Sequence, residues 1–194
     1  MKRLFAVAAL GMLVTASAFA ADPAPDQQAM MEKMTKAATP GAPHAMLAKM
    51  AGEWTAAVKF QMDPSQPWQE VTGTSVVTTL MGGRYIQESN TSVMMGMPFS
   101  GMGVTGYDNV LGKYVSTWID NMGTGIMTST GTADASGKVI TWSGVMSDPI
   151  TGKATKARMI TTVLDDNHHT YEMFNTPPGA KKEMKTMSID YVRK

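Results

Sequence analysis

Two hydrophobic periods divide the chain. Between residues 26 and 51 the apolar positions follow a helical spacing, with Met30, Met31 and Met34 in one segment and Met46, Leu47 and Met50 in the next. The first predicts a helix over 26–38 with Asp26 as its cap. The second predicts a helix over 44–51, opened by Pro43 and stopped by Gly52. From Glu53 onward that period disappears. Runs of about 8 to 12 residues rich in Thr, Val, Ile and aromatics are separated by Gly, Pro, Asp and Asn, the turn formers. They predict about ten strands, at 53–62, 68–80, 84–93, 101–107, 113–121, 124–132, 139–146, 154–164, 169–175 and 183–192, with a Met-rich connection between the third and fourth.

Connections this short join antiparallel neighbours. A meander of this length has two edges to protect, and closing the sheet on itself removes both. The expected fold is therefore all-β, an antiparallel up-and-down β-barrel of about ten strands with a short N-terminal helix capping one end. Met46, Leu47 and Met50 would turn inward. An outer-membrane barrel fits less well, because the strands at 124–132 and 154–164, beside Lys153 and including Lys156 and Arg158, carry no continuous lipid-facing apolar row.

The first 20 residues read as an export signal. Lys2-Arg3 precede the apolar run Leu4 to Val14, and Ala18-Phe19-Ala20 places small residues at −3 and −1 for cleavage after Ala20. The run is shorter than the roughly 20 residues needed to cross hydrocarbon. The expectation is a periplasmic or secreted protein with no membrane span in its mature form. Residues 21–43, rich in Pro and Ala, form a tether with a short helix, and 22–43 offers a surface for a partner protein. Residues 44–194 would form the barrel domain.

Charge and composition then remove several chemistries. The full chain has 17 Lys plus Arg and 16 Asp plus Glu. Losing Lys2 and Arg3 with the leader brings the mature charge to about −1, with no basic stripe for nucleic acid. There is no Cys, so disulfides, thiolate catalysis, Cys-based zinc or iron–sulfur sites and lipid attachment to cysteine are excluded. No Gly-x-Ser-x-Gly elbow, phosphate loop or His-Glu-x-x-His helix occurs. The run Gly101 to Gly106 spells a dinucleotide fingerprint, but it lies within a strand with no helix after it.

Several side chains are candidates for binding. Strand alternation puts Tyr114, Ser116, Trp118 and Asp120 on one face, where two aromatics beside a hydroxyl and a carboxylate could line a pocket. Asp120 is equally suited to cap the following turn. Arg84, Arg158 and Glu172 are candidate charged anchors if they project into a cavity, although outer faces more often hold such residues. Twenty methionines include Met94, Met95, Met97 and Met102 around Pro98-Phe99. Thioether sulfur selects monovalent copper or silver, and the same residues also suit a pliable lip over an apolar ligand. His44 beside Met46 and Met50 could extend a soft-metal site, or simply face solvent at a helix start. His168-His169 point to opposite faces, a poor chelate, and read as a surface turn.

The passage from His44-Ala45-Met46-Leu47 to Gly52-Glu53-Trp54 resembles the entry of calycin barrels, the lipocalin and fatty-acid-binding group. That resemblance implies that Arg193, at the end of the last strand, packs across Trp54 at the closing seam. Residues 44 to 193 also resemble the bacterial family catalogued as domain of unknown function 1579. The likeness is carried by Leu80-Met81-Gly82-Gly83-Arg84-Tyr85, Pro98 to Gly103, Gly106-Tyr107-Asp108, Ser116 to Thr124, Asp148-Pro149 with Gly152, and Tyr191-Val192-Arg193. It implies an exported lipocalin-like barrel and transfers no reaction, ligand, cofactor or functional residue. The readings that follow are a binder of a small hydrophobic or amphipathic molecule, a periplasmic copper or silver binder, or an enzyme of unspecified reaction. Sequencing the N terminus of protein recovered from the periplasm should begin at Ala21; an intact Met1 there would refute cleavage after Ala20.

Overall fold

A computed structural model describes residues 25–63, 65–148, 152–176 and 182–194. The predicted signal and cleavage site lie outside them. Among the described residues, no helix is long and apolar enough to cross a membrane. Helix α1 covers Pro25–Ala38 and α2 covers Ala42–Lys49. Ten strands follow: β1 Gly52–Phe60, β2 Gln69–Leu80, β3 Tyr85–Met94, β4 Met97–Asp108, β5 Lys113–Asp120, β6 Met127–Ala133, β7 Val139–Asp148, β8 Lys153–Asp165, β9 His168–Asn175 and β10 Met184–Arg193. The chain separates into one unit ending at Thr35 and a second from Lys36 to Lys194. In the first, Met30, Met31 and Met34 are exposed.

Within the second unit, each strand pairs antiparallel with the next and β1 pairs with β10, closing the predicted barrel. The connections are tight enough to enforce this order. Between β3 and β4 the turn is Met95-Gly96, both left-handed at φ 51° and 77°, with Met94 directly opposite Met97. That pair of positive φ values matches the right-handed twist of a hairpin. The Met-rich stretch is therefore a hairpin tip and not a separate connection, and β4 starts four residues before the predicted 101. Its turn escaped prediction because methionine is an unusual occupant of a left-handed position. At β6 the difference is reversed, with pairing beginning at Met127 and not at 124.

Alternation sorts the side chains into an inner and an outer face. The inner end nearest α2 is filled by Trp54, Val77, Ile86, Tyr114, Trp142 and Met159, with Leu47 entering from the helix. Met46 and Met50 are half-buried against this cluster, so the predicted cap is present with Leu47 as its deepest residue. His44 is buried, correcting the solvent-facing alternative. The Gly41 N–H donates to its Nδ1 at 3.0 Å, and its ring meets Tyr107 edge-on at 5.8 Å. At the C-terminal end of α2 the Trp54 indole donates to the Met50 carbonyl at 2.9 Å.

The seam between the first and last strands is locked by one side chain. Arg193 lies opposite Trp54 in the register and its guanidinium sits 4.2 Å from the indole. It donates to the carbonyls of Ala51 at 2.7 Å, Lys49 at 2.8 Å and Asp166 at 2.9 Å. Gly52 holds φ at 141°, and a Cβ there would run into the Arg193 guanidinium. The Gly-x-Trp spacing thus has two steric reasons: the glycine makes room for the arginine, and the tryptophan gives it a face. Charged hydrogen bonds contribute about 1.5–3 kcal/mol each and the cation–π contact about 0.5–2 kcal/mol, partly overlapping. Arg193→Ala should lower unfolding free energy by about 3 kcal/mol, and Arg193→Lys should restore only part, since one ammonium cannot span three carbonyls. Denaturant titration measures both, and an Arg193→Ala loss within about 0.5 kcal/mol, typical of an ordinary surface site, would exclude the lock.

Candidate functional site

Of the predicted pocket face, all four residues point into the barrel. Tyr114 is buried near α2, edge-on to Tyr107 at 5.0 Å and to Trp142 at 5.9 Å. Burial, then the neighbouring Tyr107, pushes its hydroxyl pKa up. Ser116 shares a 2.9 Å hydrogen bond with Thr105 across β4. The Trp118 indole donates to Asp120 Oδ2 at 2.9 Å, while Asp120 Oδ1 accepts the Met122 N–H at 3.0 Å. Asp120 therefore caps the turn, as expected, and in addition fixes the indole.

Glycines explain how that indole is seated. Gly101 and Gly103 of β4 stand opposite Asp120 and Trp118, and a Cβ at either would meet the Trp118 ring. Without those Cβ atoms the ring lies flat along the wall and turns its open face to the lumen. A Cβ at Gly131 would likewise meet the buried Trp142 ring. Three of the fingerprint-like glycines thus serve close packing in a strand, because a Cβ at Gly106, on the outer face, would strike the Tyr85 ring.

The polar centre of the lumen went unread in the sequence. Glu88 of β3 points inward, where its Oε1 accepts from Ser75 Oγ at 2.8 Å and Asn90 Nδ2 at 3.0 Å. Ser75 is fully buried. The hydroxyl of Tyr191 is a neighbour of Glu88 and Asn90; burial, then the Glu88 carboxylate, holds its pKa well up. Tyr171, also inward, is pushed up for the same two reasons in the same order. Asn90 Oδ1 and Asn175 Oδ1 are buried without a hydrogen-bond partner. Strand β3 hid this centre because Gln87, Ser89 and Thr91 on its outer face are as polar as Glu88, Asn90 and Ser92 inside. Alternation carries no contrast there.

The predicted charged anchors do not share this interior. Arg84 is exposed at the turn after β2 and donates to the Met81 carbonyl at 3.0 Å. Arg158 lies on the outer wall, stacked 4.0 Å from the Phe174 ring and paired with Glu183 at 2.6 Å. Glu172, also outer, pairs with Lys185 at 2.9 Å. In each strand case the register sets the outcome: Ala157 and Met159 take the inward positions around Arg158, and Tyr171 and Met173 take those around Glu172.

The four methionines do not share one face. Met94 and Met97 oppose each other at the hairpin tip, Met95 occupies the turn, and Met102 lies on the outer face of β4, five residues from Met97. Nor does any group of three His, Asp or Glu among the described residues form a metal-ligating cluster.

The histidine pair is the other correction. His168 is on the outer face, its Nε2 2.5 Å from Asp190 Oδ1. His169 is no surface turn: it is 5% exposed, stacked on Tyr191 at 4.4 Å and edge-on to Trp54 at 4.4 Å. Its Nδ1 has no hydrogen-bond partner. Burial, then the positive charge of Arg193, pushes its pKa down to about 4.

A concavity lies on the outer wall of the barrel. It is a shallow groove of about 630 Å³ between Tyr85, Val104, Val115, Thr130, Val145 and Lys156.

These features define a closed antiparallel barrel with a packed, helix-capped end and a polar group set inside its wall. Residues 39–193 match the family described as protein of unknown function (DUF1579), and the chain belongs to that family. Its barrel is similar to the crystal structure of Rv2717c from M. tuberculosis, at 15% identity and a TM-score of 0.61, covering 80% of this chain and 99% of that one. A redesigned β-barrel matches over the same shares at 12% identity and a TM-score of 0.40. No curated protein matches the chain.

Buried neutral His169 couples folding to pH. Its pKa is about 4 when folded against about 6.5 when unfolded, so between these values the unfolded chain binds the extra proton. Stability should be complete above pH 6.5 and fall toward pH 4 by up to about 3 kcal/mol from this group. His169→Phe keeps a stacking ring without the proton. Denaturation across this range should show a shallower acid loss for it than for wild type; identical slopes would contradict the assignment.

Proposed function

We propose that the protein is an exported binding protein that holds one small apolar or amphipathic molecule in the barrel lumen. The observation that carries this reading is the contrast along the interior. Near α2 the inward side chains are packed solid. Farther along, the inward-facing Trp118, Met127, Met146, Tyr171, Met173 and Ile189 are only half-buried although they point away from the outer solvent. Surface left on the inside of a barrel is surface available to a guest. Its chemistry is that of a binding pocket, with aromatic rings and pliable methionines around a few polar groups, and two unpartnered amide oxygens.

The flat Trp118 indole is the main apolar platform of this pocket. Native mass spectrometry of protein purified from its own periplasm, followed by titration of the delipidated protein with 1-decanol, tests the reading. One equivalent should bind and change tryptophan emission. Trp118→Ala should weaken binding about tenfold, the loss expected for one aromatic contact face. Absence of both a co-purifying molecule and decanol binding would overturn the proposal.

A further inference from the structure

The polar fittings of the lumen point to the charge of the guest. Glycine seating leans the Trp118 indole over β4 toward β3, where Glu88 is opposite Gly103 and Asn90 opposite Gly101. The ring face, the Glu88 carboxylate and the Asn90 amide therefore gather in one stretch of wall. Orientation of the amide is settled by chemistry: a carboxylate only accepts, so the group donating to Glu88 is the NH2 of Asn90. What remains toward the buried interior is its Oδ1, an acceptor with no donor. Asn175 Oδ1 is in the same state.

Opposing positive charge is scarce in the same interior. Among the described strand residues, the inward positions hold Glu88 and Asp120 in the wall. The register places only two inward cationic side chains, Lys153 at the rim beside Asp148 and Arg193 at the capped end. Arg193 spends its donors on three backbone carbonyls. His169 is held neutral by burial. The wall thus presents a carboxylate, a vacant amide acceptor and an aromatic face, and neither β3 nor the strands on either side of it, β2 and β4, carry a Lys or Arg. A carboxylate-headed guest would meet repulsion at Glu88 and another acceptor at Asn90 Oδ1. A protonated amine would supply N–H groups to both oxygens and a positive charge to the ring.

We propose that the lumen selects an amphipathic primary amine, its ammonium group held between Glu88, Asn90 Oδ1 and the face of Trp118, and its apolar body lying along Met173 and Ile189. This deepens the lumen-binding reading and rests on it. The test compares three probes of equal chain length, decylamine, decanoic acid and 1-decanol, each below its aggregation concentration at pH 7, by calorimetry and tryptophan emission. Wild type should bind decylamine at least about tenfold more tightly than decanoic acid. Glu88→Gln should bring those two within about threefold, with a smaller change for the uncharged 1-decanol. Asn90→Leu, which removes the vacant acceptor by another route, should also reduce the preference for the amine. Equal or tighter binding of decanoic acid by wild type would overturn the amine assignment and leave lumen binding standing. So would an amine preference untouched by both variants. Failure of all three probes to bind would overturn both. Because the wild-type comparison needs no variant, a substitution that impairs folding leaves the proposal open to refutation.

Discussion

Closure of the barrel depends on a contact that joins residues 142 positions apart, the donation from Arg193 to the Ala51 carbonyl, together with the stacking of the same guanidinium on Trp54. A sheet of ten strands left open would expose two rows of unpaired backbone groups. The register between β1 and β10 removes them, and Arg193 ties that register to the C-terminal end of α2 through Lys49 and to the turn before β9 through Asp166. Helix, seam and turn are thus held at one point. Gly52 is the steric condition for it, since any side chain there would occupy the space of the guanidinium.

Packing at that end sets the chemistry of the other. Trp54, His169 and Tyr191 stack beneath Arg193 and exclude water, which keeps His169 neutral and raises the pKa of the Tyr191 hydroxyl. The filled end forms the floor of the lumen. Above it, glycines at inward positions of β4 let the Trp118 indole lie against the wall, so that aromatic surface is supplied without blocking the interior. Glu88 sits where these regimes meet, held by a fully buried serine on one side and an asparagine on the other.

Legibility followed the contrast in each segment. Strands with alternating apolar and polar residues, such as β1 and β7, were placed to within a residue or two at most ends, and so were the helices. Tyr114, Ser116, Trp118 and Asp120 could be assigned to one face because a strand has period two. Arg158 and Glu172 could be assigned to a face but not to the correct side, because the deciding information is which neighbours they meet across the sheet. The paired polar centre of Glu88, Ser75 and Asn90 joins β2 to a strand, β3, that is polar on both faces in this region, and no local pattern marks it.

The order of turns and β-forming runs by itself determined an antiparallel barrel closed between its first and last strands, and the Gly-x-Trp and Arg ends, through their resemblance to calycin barrels, implied the contact at its seam. These are local or terminal features, and backbone hydrogen bonding leaves such a meander few ways to hide its edges. Tertiary structure alone decided which face of each strand looks inward, that His169 is buried and His168 outside, and that an acidic, acceptor-rich centre lies in the lumen. Those outcomes depend on register and curvature, which bring together residues from strands far apart in the chain and so leave no trace in any single stretch of it.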